Sequence, residues 1–228
     1  MILQVKQSGY INNPFYHPSV QYSIPAYGLL YNGYVVVDER GLAPTGWRLP
    51  TWSQLNFLWD AEGMKEVGTE HWNTDNGTNE LKLSLVGSGC RDDGTGEFFG
   101  VKDICFLYDN TGSGYLKMYD DLGFNNASGW EPGPFGIAVR CVRDTLDGWT
   151  ENETVLDYDG NLYHTTKIDI YWHTTKLDTQ VWLAENLAVT HYNNGDIIPE
   201  VTDTDEWLST TTGALCAYNN DWSGVFKH

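Results

Sequence analysis

Residues 41–60 read GLAPTGWRLPTWSQLNFLWD, and the rest of the chain arranges itself around them. Between Gly41 and Pro50, two glycines and two prolines surround Trp47 and Leu49, a composition that sets a rigid turn able to bury one aromatic and one aliphatic side chain. A helix follows. Pro50 disfavours helix just before it, the Thr51 hydroxyl can cap the first free amides, and Leu55, Leu58 and Trp59 recur at i, i+3 and i+4. One face of that helix must be covered.

Upstream, Val35, Val36 and Val37 read as a strand feeding the turn. Residues 1–26 carry Pro14, Pro18 and Pro25 among Tyr10, Phe15, Tyr16 and Tyr22, which suits an extended arm that docks on a partner. Downstream, residues 62–80 read as a polar surface excursion holding His71 and Trp72. Leu81, Leu83 and Leu85 then alternate into GSGCRDDGTGEFFG, a hairpin by its Asp-Gly and glycine-rich centre. Ile137, Val139 and Cys141 alternate as a strand, and residues 145–156 form a linker. YHTTKID at 163–169 returns as WHTTKLD at 172–178, which predicts a hairpin with the two copies aligned across it. A short helix near Asp205 to Leu208 and a strand through Ala214 to Ala217 complete the chain.

A chain of 228 residues, 41% hydrophobic and with 10 Trp, 14 Tyr and 8 Phe, can bury a sizeable core. Its 24 glycines predict many turns and short strands. The net charge of −18 repels phosphate backbones and anionic lipid, so no nucleic-acid partner is expected, and no apolar run is long enough for membrane insertion. Cys90, Cys105, Cys141 and Cys216 show no metal-ligand spacing and read as free buried thiols. No catalytic motif is present, DYDGN at 157–161 reads as a hairpin turn rather than a calcium loop, and no cofactor or metal is expected. The chain is therefore read as non-enzymatic.

The longest polar-aromatic stretch, residues 106–134, supplies the candidate ligand-binding residues: Tyr108, Asp109, Asn110, Tyr115, Tyr119, Asp120, Asn125, Asn126 and Trp130. Tyrosine and tryptophan give rigid amphipathic contact area and suit the C–H faces of sugars, while Asn and Asp add directional hydrogen bonds.

GLAPTGWRLPT, RDDGTGEFFG at 91–100, FGIAVRCVRD at 135–144 and the long stretch from DYDGNLYHTTKI to GALCAYNND at 157–221 together resemble the FISUMP (major paralogous domain) family. The resemblance implies an α+β, C-type-lectin-like domain related to the formylglycine-generating-enzyme fold, with the ligand surface on the late loop region that contains the candidate residues. The order departs from the family. Residues 27–144 correspond to its C-terminal half and 157–228 to its N-terminal half, so the domain is expected to be circularly permuted, or completed by subunit swapping in a homo-oligomer. The permuted reading requires the strand ending at Asp144 to lie beside the one starting near Asp157. Family members often carry a cysteine where this chain has Ala43, so a partner for Cys216 is missing.

FISUMP proteins are usually secreted or on the cell surface, whereas MILQVKQSGYINNPFYHPSV has no secretory pattern. The expectation is a phage virion protein, a tail or head fibre component that binds a bacterial surface glycan or protein and contacts other virion proteins through residues 1–26. A structural virion protein and a bacterial cell-surface adhesin are the alternatives.

Overall fold

The computed structural model of the chain describes residues 27–58, 61–129, 131–143, 145–172 and 175–222. The arm at 1–26, Trp59, Trp130, Asp144 and His173 fall outside the described residues. Strand dominates, in short pieces, with four helices of one turn or slightly more.

The 41–60 stretch folds largely as its composition dictates. Leu42 and Leu49 are buried and Trp47 packs half-buried against the main core. Helix α2 (Trp52–Asn56) is capped reciprocally: the Thr51 hydroxyl accepts from the Gln54 amide, and the Gln54 side chain accepts from the Thr51 amide. Leu55 and Leu58 are buried, although the helix ends before Leu58.

Val35 to Val37 do not form a strand. Residues Gly33–Val36 make a one-turn helix, α1, capped by buried Asn32, whose Oδ1 accepts from the amides of Val35 and Ala214 at 3.1 Å each. Its Nδ2 donates to the Thr212 carbonyl. One asparagine thus ties residues near the start of the described chain to residues near its end, and that tertiary tie overrides the strand preference of valine.

β1 (Leu30–Tyr31) pairs antiparallel with the late strand β11 (Leu215–Cys216). The expected hairpin is present as β2 (Ser88–Arg91) and β3 (Phe98–Val101). β4 (Ile104–Tyr108), β5 (Gly114–Tyr119) and β6 (Ala127–Ser128) form a meander, and the expected short helix is α4 (Thr204–Ser209). The excursion after the short helix α3 (Ala61–Met64) is not purely superficial, because Trp72 is buried and donates its indole N–H to the Leu85 carbonyl.

The segment 136–143 threads the molecule. Gly136 bridges Arg91, Ile137 bridges Tyr31, Ala138 bridges Leu107 and Val142 bridges Arg48. Gly136 must be a glycine, since a Cβ there would stand 2.7 Å from the Trp207 ring. The segment ends as β7 (Val142–Arg143) in a four-stranded sheet of order β7-β10-β9-β8, where β8 is Thr154–Leu156, β9 is Leu162–Trp172 and β10 is Thr175–Leu183.

Three expectations are corrected by this sheet. The closing strand β7 lies against β10 rather than β9, so β10 separates it from the strand that follows Asp157. The repeat copies are not aligned, because Lys167 stands opposite Val181 and Trp172, the first residue of the second copy, stands opposite Thr175 of the same copy. Register follows burial instead: it places Ile168, Ile170 and Trp182 in one apolar cluster. The last three residues of the presumed linker are the edge strand β8.

Residues from 27–143 and 157–222 share one core. Leu29, Tyr31, Phe106, Val139 and Cys141 pack with Tyr163, Leu183, Leu187, Tyr192 and Leu215. Backbone bonds from Leu29 to Leu187, Leu187 to Val139 and Leu183 to Cys141 stitch the two segments at 2.8–3.0 Å. All four cysteines are buried free thiols.

Candidate functional site

In the β4–β5 pair, alternation sorts side chains onto two faces. Cys105 and Leu107, opposite Met118 and Leu116, enter the apolar interior. Phe106 and Tyr108, opposite Lys117 and Tyr115, line a cleft of about 340 Å³ on the other face. Phe99 and Phe135 add two more rings, Asp92, Asp93 and Glu131 supply carboxylates, and Ser113 and Ser128 supply hydroxyls.

The rings brace one another. Phe106 meets Tyr115, Phe135 and Phe99 edge-on with centroids 5.8, 5.5 and 6.4 Å apart, and Tyr115 lies 5.2 Å from Phe135. Phe99 is 41% exposed, a large apolar surface left to solvent at the mouth. The Lys117 ammonium stands over the Phe106 and Tyr119 rings at 5.3 and 4.7 Å. Burial pushes the Tyr108 and Tyr115 phenols above their ordinary range, so both remain hydrogen-bond donors.

The nine residues singled out by sequence do not form one surface. Tyr108 and Tyr115 line the cleft, but Tyr108 is only 1% exposed and its hydroxyl donates to the Phe135 carbonyl at 2.5 Å. Asp109 is buried and organises the β4–β5 turn, its Oδ1 accepting from the Thr111 amide and hydroxyl and the Gly114 amide. Asn110 and Asn125 are exposed, outside the lining. Asn126 donates to the Asn56 side chain, which fastens the meander to the residue ending α2. Tyr119 carries the Lys117 contact, and Asp120 is paired with Lys65 at 2.8 Å. Trp130 lies outside the described residues, but its neighbours Gly129 and Glu131 both line the cleft.

Phe99, Phe135 and Asp93 are lining residues that the sequence reading passed over. The available signal was their place in RDDGTGEFFG and FGIAVRCVRD, two stretches distant in sequence that the Arg91–Gly136 bridge brings together. Chemically, the arrangement offers ring faces for C–H surfaces and carboxylates for hydroxyl or amine donors. Asp92 is unsuited to general acid work. Burial opposes its ionisation, but donors on Thr95 and Gly94 hold the carboxyl below its usual range. Among the described residues, no group of three or more His, Cys, Asp or Glu side chains could hold a metal ion. No helix among them is long and apolar enough to cross a membrane.

The family described as the Fibrobacter succinogenes major domain matches residues 11–143, more than half of the chain. The chain belongs to that family. The Fibrobacter succinogenes major domain match takes in the whole lining of the cleft, from Asp92 to Phe135, and includes residues 11–26 of the expected arm. Residues 157–222 lie beyond it, although they complete the same core. No curated protein and no solved structure matches the chain.

Proposed function

We propose that this Fibrobacter succinogenes major domain protein is a non-enzymatic recognition protein whose cleft, lined by Phe99 of β3, Tyr115 of β5, Gly129, Glu131 and Phe135, binds a glycan on a bacterial surface. The carrying observation is the cleft itself: five aromatic rings line it, four of them linked by ring contacts through Phe106, with Phe99 exposed, beside three carboxylates and two serine hydroxyls. Rigid rings stack on sugar faces at little entropic cost, and carboxylates accept from sugar hydroxyls. Titrating the purified protein with fragmented bacterial surface polysaccharide, followed by tryptophan and tyrosine fluorescence, tests this. Phe99→Ala and Tyr115→Ala should each weaken binding about tenfold, ~1.4 kcal/mol, while Asn125→Ala leaves it unchanged. Binding that survives both aromatic substitutions, or no binding to any fraction, rejects the site.

The compartment we favour is a phage virion, as a tail or head fibre component. Four buried thiols with no disulfide suit a chain that folds in a reducing cytosol, where virions assemble, better than an exported adhesin. For the architecture we favour a circularly permuted lectin-like domain in which the two ribbons share one sheet with β10 between them, rather than lying side by side. Supporting it are the antiparallel β1–β11 pair, which joins the segment at Leu30 to the one at Cys216, and the single core drawn from both segments.

A further inference from the structure

Lys65 follows α3 and has no exposed surface. Its ammonium lies 4.5 Å from the Trp72 ring centroid and donates to the Asn76 side-chain oxygen, to Asp120 Oδ1 and the Asp120 carbonyl at 2.8 Å each, and to Thr74 Oγ1 at 3.2 Å. The Asn76 amide nitrogen in turn donates to the Asp120 carbonyl at 2.9 Å. The loop holding Asn76 is pressed onto the lysine, since a Cβ on Gly77 would stand 2.7 Å from the Lys65 carbonyl oxygen. An amine, a carboxamide and a carboxylate are therefore held together beside a buried aromatic ring.

A buried lysine surrounded by oxygen acceptors can simply be a satisfied charge. This group of three goes further, because it contains the parts of an acyl transfer: a nucleophile, an acyl carbon with a leaving group, and a proton carrier. We propose that Lys65 and Asn76 become joined by a self-formed isopeptide bond, with Asp120 moving the protons. Asp120 is a carboxylate at rest. Burial opposes its ionisation, but Lys65 and Thr74 hold it below the ordinary value, so it is in the form that accepts a proton.

The Lys65 ammonium gives a proton to Asp120, and the freed lone pair attacks Asn76 Cγ. A bond forms between Nζ and Cγ, and the carbonyl pair moves onto Oδ1. On collapse that pair returns and the Cγ–Nδ2 bond breaks as Asp120 gives its proton to Nδ2, so that ammonia leaves; Asp120 then takes the surplus proton from Nζ and passes it to the ammonia. One ammonium and one carboxamide become one secondary amide and one ammonium ion, with no change of oxidation state and Asp120 restored. The ion escapes to solvent, so each molecule needs the event only once. The bond would lock the 66–80 loop to the end of α3. This inference does not rest on the glycan reading.

Intact-mass measurement of the full chain tests it. The wild type should weigh about 17 Da less than its sequence, one ammonia, and digestion should yield a branched peptide containing Lys65 and Asn76. Lys65→Arg and Asp120→Asn should restore the sequence mass. A wild type at full sequence mass overturns the proposal. So does the same deficit persisting in Lys65→Arg, because that signals a succinimide formed by the Gly77 amide at the Asn76–Gly77 step. The wild-type branched peptide decides the matter even if a variant fails to fold.

Discussion

Asp157 has no exposed surface at the turn between β8 and β9. Its oxygens accept from the Asp159 and Asn161 amides, the Asn161 carboxamide and the Tyr163 hydroxyl. Burial raises its pKa to about 6 against the help of those donors. The native state therefore holds a proton that the unfolded chain has already released, and stability falls as pH rises from about 4 to about 6. Asp38, Asp169 and Asp196 are shifted down by hydrogen bonds from Arg40, from Lys176 and Thr179, and from Asn194 and Arg40, so they act below that window. Melting temperatures across pH 4–6 should decline in the wild type and flatten in Asp157→Asn. A wild type that gains stability over the same range refutes the assignment.

At this scale much of the sequence was legible only in part. Asp-Gly in DYDGN signalled the turn, but not that its first aspartate would be buried. Arg91 and Arg140 gave no sign at all of being interior. Arg91 reaches the carbonyls of Gly96, Val201, Thr202 and Asp203 between the Phe98 and Trp207 rings, and Arg140 clasps the Asn186 carboxamide and the Leu83 carbonyl. A charged side chain earns an interior place only through acceptors distant in sequence, and no local pattern announces them.

Among the elements, α2 is the most dependent on a local device. With five residues it cannot persist on intrinsic preference, and its first turn relies on the reciprocal Thr51–Gln54 cap. Thr51→Ala should lower unfolding free energy by about 1 kcal/mol, read from the urea midpoint at unchanged m-value. No change in the midpoint would show the cap to be dispensable. This helix was readable because proline, threonine and the leucine spacing all lie within one stretch. α1 was not, because its cap is an asparagine held by Thr212 and Ala214. The β9–β10 hairpin was foreseen and its register was not, because the repeat advertises an alignment that burial of Ile168, Ile170 and Trp182 outweighs.

For the whole molecule, the permuted reading makes a direct prediction. β1 and β11 run antiparallel with Leu30 opposite Cys216, so residues 27 and 219 sit at the same end of the pair. A rearranged Fibrobacter succinogenes major domain opened between Asp147 and Thr150, with residue 222 joined to residue 27 by a short glycine-serine linker, should fold to the same circular-dichroism spectrum and melt within a few degrees of the parent. A molten or aggregated product would refute that reading. The cleft was only half visible from sequence, since its tyrosines came from one stretch and its phenylalanines from two others joined in space.

The pairing of Leu30 with Cys216 also sets a timetable for synthesis. Among the described residues, the first strand to be synthesised waits for the last, and the 136–143 segment stays exposed along one flank until Leu183 and Leu187 emerge. Long-range pairing of this kind slows folding and lengthens the interval in which apolar surface is bare. A nascent chain stalled before residue 215 should be digested by protease throughout, and protection should arrive in one step on release.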